Sequence, residues 1–309
     1  MNTQDDITET KELSLTTVEV DGMRPAIKTG YEWLSDMIHV RNSQASYKPN
    51  LSPVTNRAMF IINALNEIGV QYEVDIFDEA GYDLYDYHRP KLVNIVVKFA
   101  SRSGQPAIVF CAHHDIVNSN SQNCQDNSAS VCNLLHLIAK LKEQAYGENN
   151  NMIAQRPVIF VFTDKEERGG IGARRMSGRL LRGDFGNFEY VINLELTGLG
   201  DAFWMDRLNA QSRTTNKTKT PVMLKCDEVL GENTYYEVST PFSDAIIFRR
   251  CGIDAICVGI LPDEQLSRMN WPPTWGLCHS ETDTIDKCNE EDMSNFTDAL
   301  EKFVIGNLN

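Results

Sequence analysis

The chain has 309 residues, 42% of them apolar, enough to bury the core of one large α/β domain. Asp and Glu outnumber Lys and Arg by 43 to 29, and the net charge of −14 excludes the basic surface that general nucleic-acid binding needs. No run of about 18 apolar residues occurs, so no membrane-spanning helix is expected.

Met1 to Asp21 sets Asp5, Asp6, Glu9, Glu12 and Glu19 against Lys11, which predicts a frayed acidic tail over residues 1–25. This stretch lacks the basic start and apolar run of a secretory signal, and no two of the eight cysteines form a CxxC pair. The expectation is a cytoplasmic protein with reduced, mostly buried thiols. Ile27 to Val40 carries Trp33, Leu34, Met37 and Ile38 at helical spacing. Pro49 and Pro53 punctuate a loop. Ala58 to Ile68 predicts a second helix, stopped by Gly69. Val70 to Phe77 alternates as a strand. Leu92–Phe99 and Ala107–Cys111 predict two more, and Ser101–Gly104 between them reads as a hairpin loop.

Asn127 to Lys142 predicts a helix opened by the cap-type residues Asp126, Asn127 and Ser128. Val158–Phe162 is a continuous apolar run, as in a buried strand. A helix over Gly170–Leu181 and a strand over Tyr190–Leu194 follow. Leu199–Glu237 has the weakest pattern and is expected to hold strands and substrate-site loops. Ser243–Cys251 predicts a helix and Ala255–Val258 a strand. Leu261–Cys278, with three prolines, Trp271 and Trp275, predicts a long loop, and Glu290–Ile305 a closing helix. This alternation predicts an α/β sandwich with a largely parallel centre, whose functional residues gather at strand carboxyl ends.

Five separated fragments carry metal-ligand chemistry. His113 ends a strand, and Asp115 two residues on can support a ligand imidazole. His114 between them points the opposite way on extended backbone. Asp126 either caps the following helix or bridges two cations with its two oxygens. Glu166 and Glu167 follow a strand, where one can bind metal while the other acts as general base. Glu195 ends an apolar strand, a costly place for a carboxylate without a task. His279 has Asp283 four residues later to fix its ring. Cys124 and Cys278, near these positions, read as small packing residues. Phe242, Trp271 and Trp275 either line a substrate pocket or pack their own loops. There is no G-x-S-x-G, P-loop, strand-linked G-x-G-x-x-G or H-E-x-x-H.

The ordered pieces HHD (His113–Asp115), DNSAS (Asp126–Ser130), EE (Glu166–Glu167), NLELTG (Asn193–Gly198), FSDA (Phe242–Ala245) and HSETDT (His279–Thr284) resemble the co-catalytic di-zinc exopeptidases of clan MH. That group includes bacterial leucyl-type aminopeptidases, glutamate carboxypeptidase and glutaminyl cyclase. The resemblance runs from roughly Leu51 onward. It implies a three-layer α/β/α sandwich of the phosphorylase/hydrolase-like type, forming one catalytic domain over residues 26–309. It also implies two zinc ions: His113 and Glu195 on one, Glu167 and His279 on the other, Asp126 bridging them. Glu166 would be the base and Asp115 the support of His113. The implied substrate is a peptide or aminoacyl compound, most simply for an aminopeptidase. A carboxypeptidase, an N-acyl-amino-acid deacylase and a glutaminyl cyclase are the alternatives on this scaffold, and a non-catalytic binding protein is a further one. Glu195 departs from the aspartate most aminopeptidases of the group carry; related deacylases and carboxypeptidases favour glutamate there.

Overall fold

The computed structural model describes residues 26–40, 55–78, 91–101, 103–117, 120–145, 156–206, 219–232, 234–238, 240, 242–268 and 272–305. The acidic segment 1–25, the loop with Pro49 and Pro53, and Trp271 lie outside them. Among the described residues, eight strands form one sheet: β1 (Tyr72–Phe77), β2 (Leu92–Phe99), β3 (Ala107–His113), β4 (Val158–Thr163), β5 (Phe188–Leu194), β6 (Ala202–Asp206), β7 (Tyr235–Val238) and β8 (Ala255–Leu261), in the order β1-β2-β4-β3-β5-β8-β6-β7. The centre, β4-β3-β5-β8, is parallel. β1, β2 and β4 pair antiparallel on one side and β8 with β6 on the other.

Side chains alternate across each strand, so an all-apolar strand serves two cores at once. Ile108, Phe110 and Ala112 of β3 join one core with helices α1 (Gly30–Met37), α2 (Asn56–Ile68), α3 (Ala129–Ala145), α5 (Pro221–Leu230) and α8 (Glu290–Ile305). Ala107, Val109 and Cys111 join the other, with α4 (Ile171–Arg182), α6 (Asp244–Arg250) and α7 (Asp263–Arg268). This is the expected three-layer sandwich. Each fully buried Leu, Ile or Phe in these layers contributes ~1.5–3 kcal/mol relative to exposure. Gly69 ends α2 at φ 74°, the left-handed stop that its sequence position predicts.

The hairpin expectation is overturned. β2 does not pair with β3; β4 lies between them, antiparallel to β2 and parallel to β3. Residues Leu92–Val97 of β2 are buried throughout, as suits a strand flanked on both edges inside a covered sheet. Three further elements depart from the expected pattern. α5 fills part of the weakly patterned stretch, and its signal was present, since Thr220 precedes a proline at the first helical turn. Leu261–Cys278 is not one long loop either: it holds α7 and a 3₁₀ turn, Pro273–Leu277. No helix among the described residues is long and apolar enough to cross a membrane. All eight cysteines are free.

Candidate metal centre

β3 is the point where the parallel sheet changes direction. From β3 the chain moves to β4 on one side, then crosses to β5 on the other. A crevice opens outside the carboxyl ends at such a point. His113 is the last residue of β3, Glu195 follows the last residue of β5, and Glu166 and Glu167 lie just beyond β4. Asp126 lies on a π-type turn, Cys124–Ser128, and His279 two residues past the 3₁₀ turn.

Asp126 is the hinge of the arrangement. Its Oδ1 is 3.2 Å from His113 Nε2, which also lies 3.5 Å from Glu195 Oε2. Its Oδ2 is 3.3 Å from His279 Nε2, which lies 2.8 Å from Glu167 Oε2. Two triads therefore share one carboxylate: His113–Asp126–Glu195 and Asp126–Glu167–His279, each with donor atoms within 4.8 Å of one another. His113, Glu166 and Glu167 meet the same limit, which puts Glu166 beside the junction. The first triad is sunk into the protein, with His113 1% exposed, whereas the His279 side chain is 53% exposed. The crevice thus opens on the second triad.

Asp126 is not the helix cap that its position suggested. Its backbone is non-helical (φ −120°, ψ 84°), its peptide bond to Asn127 is cis, and α3 starts only at Ala129. Asn127 Nδ2 donates to the Leu194 carbonyl at 2.8 Å, tying this turn to the end of β5. Asp115 stands beside His113 as expected, its Oδ1 3.4 Å from Nδ1, and the same oxygen accepts the Glu166 amide at 3.0 Å. His114 points away, its Nε2 2.9 Å from the Val93 carbonyl. Asp283 differs from expectation. Its carboxylate does not orient His279; it accepts the amides of Gln125 and Asp126 at 2.7 and 3.1 Å. Sequence reasoning missed Arg57. This residue, 2% exposed, donates to the His114 carbonyl at 2.5 Å and to Ser128 Oγ at 2.9 Å, clamping the β3 end to the π-type turn. Asp244 of the FSDA piece is buried at the start of α6 and accepts the Thr163 hydroxyl at 2.5 Å. Trp275 packs edge-on against Trp204 in the core, and Phe242 rests on the same cluster, so these aromatics pack their own surroundings.

Burial and mutual repulsion dominate the electrostatics. Burial, with Glu195, Asp244 and Glu167 nearby, pushes Glu166 up to about 10 despite His113. Burial and then Asp126 push Glu167 up to about 8. Asp244 rises to about 7 for the same reasons, and Glu195 rises too. Burial opposes the charged form of His113, but Glu195, Asp115 and Asp126 outweigh it and raise its pKa well above the usual value. Among the described residues, no Lys or Arg ion pair with the carboxylates of the two triads is found. A shared carboxylate, two imidazoles and two further carboxylates form a donor set suited to divalent cations of the zinc type. Among the described residues, four besides glycine have left-handed backbone: Asn123, Lys165, Leu196 and His279. Lys165 and Leu196 adjoin Glu166 and Glu195, Asn123 enters the Asp126 turn, and the fourth is His279 itself. Such backbone costs ~1–3 kcal/mol per residue and gathers where side-chain aim matters.

The chain overlays LapA aminopeptidase of Legionella pneumophila with a TM-score of 0.64 at 16% identity, covering 90% of this chain and 70% of that one. It overlays a zinc aminopeptidase of Bacillus subtilis with a TM-score of 0.63 at 13% identity, covering 91% and 95%. It overlays a Bacteroides thetaiotaomicron glutaminyl cyclase bound to N-acetylhistamine with a TM-score of 0.64 at 17% identity, covering 92% and 99%. At these identities the likeness is one of fold. No curated protein sequence matches the chain. The sequence pattern of peptidase family M28 matches residues 94–304, a span that begins in β2 and ends in α8, and by that match the chain belongs to peptidase family M28.

Proposed function

We propose that this chain is a zinc-dependent exopeptidase that removes N-terminal residues from peptide or aminoacyl substrates. The observation that carries this reading is Asp126, whose two oxygens each face a different histidine. In the proposal His113 and Glu195 hold one cation, Glu167 and His279 the other, and Asp126 both. When bound, the pair supplies a water acidified to near neutral pH and polarises the substrate carbonyl.

The remaining work falls to the chain. Asp115 faces Nδ1 of His113, which fixes the proton there and leaves the Nε2 lone pair pointing at Asp126 and Glu195. The same carboxylate pins the Glu166 amide, so ligand and base share one brace. Glu166, 7% exposed, would be ionised once cations offset the carboxylates that raise its pKa, and would then take the proton of the attacking water and return it to the leaving amine. That two of the overlaid folds are aminopeptidases favours a substrate with a free N-terminal ammonium group over one recognised by its carboxylate.

Zinc per chain should be measured together with turnover of aminoacyl-nitroanilides, N-blocked analogues, C-terminal substrates and N-terminal glutaminyl peptides. Two zinc ions and hydrolysis of the free-amine substrates are expected. Turnover confined to N-blocked or C-terminal substrates would reassign the enzyme as a deacylase or carboxypeptidase. Cyclisation of glutaminyl peptides without hydrolysis would make it a cyclase.

A further inference from the structure

Asn193 is a polar residue where the strand pattern asks for an apolar one. It lies on β5 in register with Cys111 of β3 on one side and Cys257 of β8 on the other, and it is fully buried. Val191, Cys111 and Cys257 around it belong to one apolar core. A carboxamide in such a place costs free energy unless it is hydrogen-bonded. Its Nδ2 donates to Glu195 Oε1 at 3.1 Å and approaches Cys257 Sγ at 3.7 Å. The Glu195 backbone has little freedom. Its amide donates to the Val258 carbonyl at 3.0 Å, and its carbonyl lies so close to β8 that a Cβ on Gly259 would run into it. With the backbone pinned and Oε1 engaged, Oε2 is the oxygen that faces His113 Nε2, 3.5 Å away.

We propose that Asn193 is a positioning residue that holds Glu195 to a single-oxygen ligand and so sets which cation the inner triad accepts. The role presupposes that the two triads bind cations. With Oε1 engaged, the inner triad offers three protein donors: His113 Nε2, Asp126 Oδ1 and Glu195 Oε2. Three donors and one open position suit a catalytic zinc, whereas manganese favours a larger, oxygen-rich set. Released from Asn193, Glu195 is free to turn both oxygens to the cation and raise the donor count by one.

Asn193→Leu and Asn193→Ala both remove the donor. The first keeps the branched shape and the second leaves space, so an effect common to both belongs to the hydrogen bond. Metal-free parent and variants should be dialysed against buffered zinc, buffered manganese and mixtures of the two, and the metal bound per chain measured. The parent is expected to take up two zinc ions. In both variants one of the two should bind ~10–100-fold more weakly, and the preference for zinc over manganese at that site should fall. The visible absorption of the cobalt-loaded variants should weaken, as it does when a cobalt site gains a ligand. In a Glu195→Ala background Asn193 has no carboxylate to hold, and its removal should change neither affinity nor selectivity. Unchanged affinity, selectivity and cobalt spectrum in variants of a parent that binds two zinc ions would overturn the role of Asn193 alone. So would a loss of equal size in the Glu195→Ala background. A parent that binds no zinc would instead overturn the metal centre and this role with it.

Discussion

Asp283→Asn removes one charge and almost no volume from beneath the Asp126 turn. The native carboxylate is fully buried and accepts the amides of Gln125 at 2.7 Å and Asp126 at 3.1 Å. Asparagine offers a single oxygen and turns its NH₂ toward the second amide. One bond therefore loses its charge assistance and one buried N–H loses its acceptor. A hydrogen bond to a charged group is worth ~1.5–3 kcal/mol, and an unsatisfied buried donor costs ~1–3 kcal/mol. A combined loss of about 3 kcal/mol follows. At about 2–4 °C per kcal/mol for a large domain, Tm should fall by roughly 6–12 °C. One of the two amides belongs to Asp126, so the variant should also release zinc faster to a chromophoric chelator. Thermal melts and chelator kinetics on the loaded protein measure both. A variant that melts within about 1 °C of the parent and releases zinc at the parental rate would show that these bonds carry no energy.

Glu166→Gln should keep both zinc ions and lose ~10²–10⁴-fold in kcat, because glutamine cannot accept the water's proton. Glu167→Gln should lose zinc from the outer triad instead, and metal analysis of the two variants exchanges their roles if the losses come out reversed. Asp126→Ala should weaken both ions, since each triad loses a ligand; retention of two tightly held zincs would refute the bridge. In the metal-depleted protein, Glu166 and Glu167 bind protons near neutral pH that the unfolded chain has released by about pH 5. A raised carboxylate pKa means the fold penalises the charged form. Stability of the metal-depleted protein should thus fall as pH rises from about 4.5 through the folded values of about 8 and about 10. Denaturant titrations across pH would contradict this if stability rose instead. Gly198→Ala should destabilise by ~1–3 kcal/mol, because its Cβ would meet Cys288 Sγ at 2.5 Å and Gln125 Nε2 at 2.9 Å. Adding Cys288→Ala should relieve part of that loss, a coupling that a double-mutant cycle reads directly.

Local chemistry made most elements legible. The apolar runs of β3, β4 and β5 and the Gly69 stop each state their structure within a few residues, and the structure follows them closely. Five of the seven candidate residues, His113, Asp115, Glu166, Glu167 and Glu195, lie at or just past strand ends, which are readable from where apolar runs stop. What stayed hidden depends on partners distant in sequence. Nothing in Leu92–Cys111 announces that β4 will insert between β2 and β3. Asp126 looked equally like a cap because a π-type turn and an N-cap both place a short acid ahead of a helix. Arg57 and Asp283 act through backbone groups dozens to more than a hundred residues away, and backbone partners leave no trace in residue types.

The carboxylate shared by both triads is held in place by a residue made much later. A ribosome delivers His113, Asp126 and Glu195 well before His279 and Asp283. The inner triad is therefore complete as a list of ligands while the turn bearing its central oxygen still lacks the acceptor that fixes its amides. A nascent chain at that stage can meet a cation but has no rigid seat for it. Metal loading is therefore expected to follow docking of the segment around Asp283, and chains stalled before that segment are expected to exchange metal freely with the surrounding pool.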